Sequence, residues 1–412
     1  MKSYCRMKRL LTFLLLAAAL APFAQPQSLF SEIPSMEEGL ASITGLTFTR
    51  QVPYALMTKD QLRRDFEQRI KDSVKPSEVR AEELTLKLLG LVPNDFDLRQ
   101  NTIDLLTEQA AAFYDYNKKK LFVLDEAGKG GVEERIALVH ELAHALADQH
   151  FHLAKYVHEG LRSDDGGTAR MAVMEGQASW LMAAYLSKQA GGEPDVPPAV
   201  LALMTQSIET SAAEYPVFSS APLYIRESLT FPYVKGMLFQ NEVFQKLGRD
   251  SFGEVFLHPP VSTQQILHPE LYLAHKEPAI PDLPAIPGSK EFRKLGDGTL
   301  GELEYRALLT QYLDAVEGNR SAAHLAGSSY ALLEDKRDKS TVLAFASTWD
   351  SEASAREYLK EYRRVLLGKS KMVEFSSDTD SALEGHADTG YFRVWLEGAT
   401  VNHLEGWKSR LH

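Results

Sequence analysis

The chain has 412 residues, 44% of them hydrophobic and 25% charged, and a formal net charge of -11. That composition is ordinary for a globular protein, and the length suffices for two domains with sizeable cores. The acidic balance and the lack of a basic tract exclude nucleic acid as an expected partner.

Residues 1–24 carry Lys2, Arg6, Lys8 and Arg9, then an apolar run from Leu10 to Leu20 and small residues near Ala21 to Ala24. This order of basic, apolar and small residues is that of a secretory signal peptide, and the run is shorter than the roughly 20 residues of a spanning helix. The expectation is an exported protein, periplasmic or secreted, with no stable membrane span after cleavage. An uncleaved N-terminal anchor is the alternative, because Pro22 sits awkwardly for a cleavage site. Cys5, the single cysteine, precedes the apolar run, so the mature chain would have no disulfide.

Beyond the signal, TKDQLRRDFEQRIKDS and SEVRAEELTLKLLGL read as two helices, the first capped by Thr58 and the second ending near Gly90. NDFDLRQNTIDLLTEQ is a third. AAAFYDY and KLFVLDE, separated by NKKK, read as a strand hairpin. GVEERIALVHELAHALADQHF and TARMAVMEGQASWLMAAYLSKQ are long helices, and residues 195–275 are mostly helical. Four prolines between 278 and 287 mark an extended linker. Beyond it come a helix, a hairpin, a helix capped near Ser351, and further strands. The predicted fold class is α+β: a mainly helical domain over 28–276 with a small sheet, a Pro-rich linker over 277–295, and a smaller α+β domain over 296–412 whose role is open.

His140-Glu141-Leu142-Ala143-His144 is an H-E-x-x-H pattern. On a helix, positions i and i+4 share a face, so both imidazoles can reach one ion while the intervening glutamate stands beside it. The flanking Leu138, Val139, Leu142 and Ala143 are not those of a solvated helix face, and buried histidines need partners. Zn2+ in such a site activates water and polarises a carbonyl, and Glu141 serves as general base and then general acid. Glu175 is the first candidate for a third ligand. It is a lone carboxylate among Met171, Met174, Ala178 and Trp180, costly to bury without a cation, and Gly176 beside it permits close helix approach.

His150 is the competing third ligand, at the spacing of the metzincin pattern H-E-x-x-H-x-x-G-x-x-H. Ala147 stands where that pattern has the glycine that lets the chain leave the helix, so the helix should continue and turn His150 roughly 120° from the His144 face. Asp148, one turn beyond His144, is a candidate to hydrogen-bond within the site. Tyr224, Tyr233, His258 and His268 are candidate donors to a developing oxyanion, with Tyr233 and His268 favoured. The hairpin strand 110–116 could pair with extended peptide.

HELAHALAD resembles the zinc helix of thermolysin-like gluzincins, whose third ligand is a glutamate on the following helix. FYDYNKKKLFVL, HELAHALADQHF, AVMEGQAS, FPYVKG and PPVSTQQILHPELY together resemble a family of bacterial zinc-dependent peptidases. The resemblance implies a zincin-like metallopeptidase with His140, His144 and Glu175 as ligands. The chain departs from thermolysin-like enzymes at Ser179, where they carry an aspartate that bonds the first histidine. The functional expectation is a zinc metallopeptidase acting on peptide or protein substrates. The rival is a noncatalytic zinc-containing binding or assembly module of the cell envelope.

Overall fold

The structure, a computed structural model, describes residues 26–408 apart from 74, 110–111, 125–131, 161–162 and 193–194. Residues 1–24, read above as a signal peptide, lie outside the described residues. Among those described, no helix is long and apolar enough to cross a membrane. The chain is α+β, with a helical N-terminal region and a C-terminal antiparallel sheet.

Helices α1 (Pro26–Ser31) and α2 (Ile33–Thr44) precede strand β1 (Tyr54–Met57) and helices α3 (Lys59–Ser73), α4 (Pro76–Leu89) and α5 (Leu98–Gln109). Thr58 caps α3 as expected: Gln61 N donates to its hydroxyl at 3.2 Å, and the Gln61 side chain accepts from Thr58 N at 2.9 Å. The hairpin forms as β2 (Ala112–Asp115) and β3 (Lys120–Leu124). Unread in the sequence, β1 adds parallel to β3, giving the order β1-β3-β2 and leaving β2 at an edge. Helix α6 (Val132–Phe151) carries the H-E-x-x-H pattern and runs unbroken past Ala147. It ends where His152 takes a left-handed conformation, φ 56°, and α7 (Leu153–Glu159) begins. Then come α8 (Asp164–Gln189), α9 (Pro198–Ala213), α10 (Pro216–Ser220), α11 (Leu223–Leu247), α12 (Ser251–Leu257), α13 (Thr263–Leu267) and α14 (Pro269–Leu273).

The C-terminal region contains β4 (Phe292–Gly298), α15 (Glu302–Tyr312), α16 (Ala315–Ala322), β5 (Leu325–Asp335), β6 (Thr341–Trp349), α17 (Glu352–Lys369), β7 (Val373–Asp378), β8 (Ala382–Ala387), β9 (Gly390–Glu397) and β10 (Thr400–Trp407). Its sheet has the order β4-β5-β6-β10-β9-β8-β7, with every pairing antiparallel. Ser351 caps α17 by accepting from Ser354 N. Tyr358 and Tyr362 of α17 pack between Trp349, Tyr305 and Phe345.

The linker expected over 277–295 is shorter and less free than its prolines suggest. Strand β4 begins at Phe292, inside that span, because it is fixed by pairing with β5 rather than by its own polar sequence. The proline-bearing part is pinned to β5: Ala279 N donates to Ala326 O at 2.8 Å, and Ser329 Oγ donates to Pro281 O at 2.6 Å. The apolar core also runs across the boundary, since Leu300, Tyr305 and Leu308 share one buried cluster with Tyr224 and Leu229 of α11.

Where the two regions meet, the first turn of α8 enters the turn before α15. Tyr330 of β5 donates to Asp164 Oδ2 at 2.7 Å, and Thr263 N donates to Asp165 Oδ1 at 2.8 Å. The approach requires glycine. A Cβ on Gly298 would stand 2.1 Å from Asp164 Oδ2, and one on Gly301 would stand 1.9 Å from Asp165 Oδ1.

Burial, with the charge of Glu304 second, pushes the Asp165 carboxyl up to about 7. Between about pH 4, where the unfolded carboxyl titrates, and about pH 7 the folded chain holds a proton that the unfolded chain lacks. The cost of ionised Asp165 is therefore full above that window and disappears as pH falls through it. Relative to Asp165→Asn, the parent should gain up to about 1.4 kcal/mol per pH unit in urea unfolding on acidification from about pH 7 to about pH 5. A difference between the two that does not vary with pH would sink this assignment.

Candidate metal centre

The apolar residues around the H-E-x-x-H pattern put it inside the protein. Leu138, Val139, Leu142 and Ala143 are buried, which turns His140, Glu141 and His144 inward toward α8. The two imidazoles stand edge to face with centroids 4.7 Å apart, and their Nε2 atoms are 3.1 Å apart. Glu175 of α8 completes the triangle: its Oε2 lies 3.1 Å from His140 Nε2 and 3.2 Å from His144 Nε2. Helix α8 also lies close against α11: Gly176 meets Gly236 there, where a Cβ would stand 2.0 Å from backbone. Gly176 thus permits a close helix approach, but to α11 rather than to the helix of the two histidines, with Gly236 as its counterpart.

The set is closed in: Glu175 is 1% exposed, His140 4%, His144 6% and Glu141 8%. His140 Nδ1 and Glu175 Oε1 are buried without a hydrogen-bond partner. Two ring nitrogens that face one another and the same carboxylate oxygen can share a proton pairwise, whereas one cation serves all three lone pairs. Ligands held about 2.0–2.2 Å from a tetrahedral ion stand about 3.3 Å apart, close to the 3.1–3.2 Å separations seen here. His140, Glu141 and His144 also offer ligand atoms within 4.8 Å of one another, a group that could hold a metal ion. Two imidazoles and a carboxylate suit several divalent metals.

Electrostatics follow from burial and from this triangle. Burial lowers the pKa of His140. Burial opposes charge on His144, but the neighbouring Glu175 carboxylate outweighs it and raises that imidazole. Burial also raises Glu175, yet the charge of His144 and hydrogen bonds from both rings outweigh it and hold the carboxyl at about 2. Burial pushes Glu141 up to about 8, because the charge of Glu175 adds to it and the opposing pull of His144 and the Tyr114 N–H is too weak to offset it.

Glu141 is oriented by a residue the sequence did not single out. Tyr114 N, at the edge of β2, donates to Glu141 Oε2 at 2.7 Å, while the Tyr114 hydroxyl donates to Asp148 Oδ2 at 2.9 Å. Asp148 therefore does not bond a ligand histidine. It accepts from Tyr114, from Lys119 Nζ at 2.6 and 2.8 Å, and from Leu153 N at 3.0 Å, tying the end of α6 to the hairpin. Only the pairing of β2 reveals that Tyr114 presents its N–H outward, so no sequence signal marks it.

Tyr233 does reach the site, with its ring stacked near His140 at 6.0 Å between centroids. His268 does not. Its Nε2 is 3.1 Å from Glu302 and its Nδ1 is 3.8 Å from Glu270, which places it at the boundary with the sheet region. His258 is paired with Glu254, and Tyr224 donates to Glu304. His150 meets Thr47 O at 2.9 Å, because the continuous helix turns it away from the triangle.

Residues 290–410 match the family described as a domain of unknown function (DUF8575). No curated protein matches the chain, and no solved structure does.

Removing any corner of the triangle should weaken metal binding by about 100-fold or more, since the remaining pair loses its convergent partner. Metal content of the purified protein and of His140→Ala, His144→Ala and Glu175→Ala checks this, with His150→Ala retaining the parent's content. Loss of metal in His150→Ala together with retention in Glu175→Ala would contradict the assignment.

Proposed function

We propose that the protein is a zinc-dependent metallopeptidase of the gluzincin type, with His140, His144 and Glu175 holding the metal. The observation that carries this reading is the buried triangle of His140 Nε2, His144 Nε2 and Glu175 Oε2 at 3.1–3.2 Å with Glu141 beside it. Bound zinc in such a set supplies Lewis acidity, polarising a carbonyl and lowering the pKa of water to about 7.

The chain's own residues supply the proton handling. Tyr114 N holds Glu141 Oε2 and leaves Oε1 as the oxygen that takes a proton and returns it to the leaving amine. Burial raises that carboxyl in the metal-free protein, and beside a bound dication it returns toward the range in which it accepts a proton at neutral pH. Tyr233, stacked near His140, fixes the ring and walls the site on the α11 side. Strand β2 is the edge of its sheet, and an extended peptide adding there would pair beside Ala112, because the outward N–H of Tyr114 is held by Glu141. Export to the periplasm or medium is proposed from the N-terminal segment.

A second reading has an observation of its own. Structural zinc sites are closed, while catalytic ones keep a position open to water, and every residue of this set is less than one-tenth exposed. A noncatalytic metal centre in an envelope binding or assembly module accounts for that closure.

Glu141→Gln separates the two. In the peptidase reading the zinc-loaded parent cleaves an unfolded protein such as casein, and the variant keeps its metal but loses about 10²- to 10⁴-fold in rate. No cleavage by the loaded parent of unfolded proteins or a peptide library, with Glu141→Gln indistinguishable from it, leaves the closed structural centre.

A further inference from the structure

The two helices that carry Glu175 and Tyr233 both start at the sheet domain, and they start at the same place. Ser163, the cap of α8, places its Oγ 3.1 Å from Thr299 Oγ1. The next two residues, Asp164 and Asp165, bind Tyr330 and Thr263 and press against Gly298 and Gly301. At the start of α11, the Tyr224 hydroxyl donates to Glu304 Oε1 at 3.1 Å, while Glu304 Oε2 accepts from Gly301 N at 2.9 Å and caps α15. Further along, α8 and α11 are locked together at Gly176 and Gly236.

We infer that the C-terminal sheet domain is an internal brace for the metal centre, setting the positions of α8 and α11 through the buried carboxylates gathered at the start of α15. The inference rests on the metal-centre reading above. It assigns a task to the region that matches the domain of unknown function.

Three physical points carry it. Burying Asp164, Asp165, Glu302 and Glu304 in one junction is a costly way to dock two surfaces, and fixing a register is the best-attested use of such groups. Glu302 is matched there by Arg306 and His268, and the others by hydroxyls and backbone N–H groups, so each carboxylate accepts only in one alignment. The contacts are also backbone-limited, because glycines 298 and 301 leave no side chain to yield. Finally, α8 is one continuous helix, and at 1.5 Å per residue Glu175 lies about 15 Å along it from Asp165. A shift or rotation at the junction therefore reaches a ligand triangle that tolerates only about 0.2–0.5 Å.

The test uses the full chain, with zinc affinity by chelator competition and hydrogen exchange over residues 171–180 of the zinc-free protein. Gly301→Ala drives a methyl into Asp165 and should weaken zinc about tenfold while speeding exchange, a magnitude typical of lost ligand support. Tyr224→Phe combined with Tyr330→Phe removes two junction hydrogen bonds without adding bulk. It should move both readouts the same way, and it decides the matter if Gly301→Ala does not fold. Val394→Ala, in the core of β9, is the control: it touches none of the junction hydrogen bonds, and it should lower the melting temperature while leaving zinc affinity of the folded protein within about twofold. Unchanged affinity and exchange in the junction variants overturn the brace, as do losses that merely follow melting temperature in all variants. A parent that takes up no zinc overturns the metal centre itself, an outcome distinct from a zinc-binding parent whose junction variants bind equally well.

Discussion

The buried Glu175 carboxylate, facing two imidazole nitrogens at 3.1 and 3.2 Å, is the constraint that the rest of the site serves. An ionised carboxylate on a helix lined by methionine, alanine and tryptophan is tolerable only with a concentrated positive partner, whether protons on the rings or a metal among them. Helix α8 also lies closer to α11 than side chains normally allow. The Gly176–Gly236 contact permits that approach, and Tyr233, three residues before Gly236, comes with it to the face of His140.

The small sheet has a related task on the other side of α6. Tyr114 reaches the helix twice, through its N–H to Glu141 and through its hydroxyl to Asp148, residues two turns apart on that helix. The hairpin thereby fixes both the direction of Glu141 and the end of α6. Asp148 gathers Tyr114, Lys119 and Leu153 N, so the chain can leave α6 at His152 without exposing an unpaired carboxylate. Asp148, a candidate to hydrogen-bond a ligand histidine, instead supports the strand that orients Glu141.

The sheet domain keeps an aromatic core of its own, with Phe345, Trp349, Tyr358 and Tyr362 packed around His403. His403 is fully buried with neither ring nitrogen hydrogen-bonded, and burial drives its pKa well below the usual range, so it sits there as a neutral ring. Phe345, Trp349, Tyr358 and Tyr362 belong to the same buried cluster that continues through Tyr305 and Tyr330 into the junction. The polar contacts from this domain to α8 and α11 gather at the start of α15 and the strands beside it.

Much of this was legible in the chain. The 3.6-residue apolar period defined α6 and α8, the cap at Thr58 and the two short runs separated by NKKK at β2 and β3 gave local structure, and H-E-x-x-H placed two imidazoles on one face. Those features depend on neighbours within a few residues, where local sterics and hydrogen bonding decide. Ala147 likewise kept α6 helical and took His150 away from the site. The strands β1, β4 and β8 were not legible, because short or polar segments become strands only when a partner edge is present. Nor was the role of Tyr114, whose outward N–H is set by pairing. His268 shows the same limit: near the candidate site in composition, it lies instead against Glu302, a contact between residues far apart in sequence. Helix faces and ligand types follow from the sequence alone. Which carboxylate meets which imidazole, and which glycine meets which backbone, was decided by the packing of α6, α8, α11 and α15, because such contacts exist only when distant segments share a core.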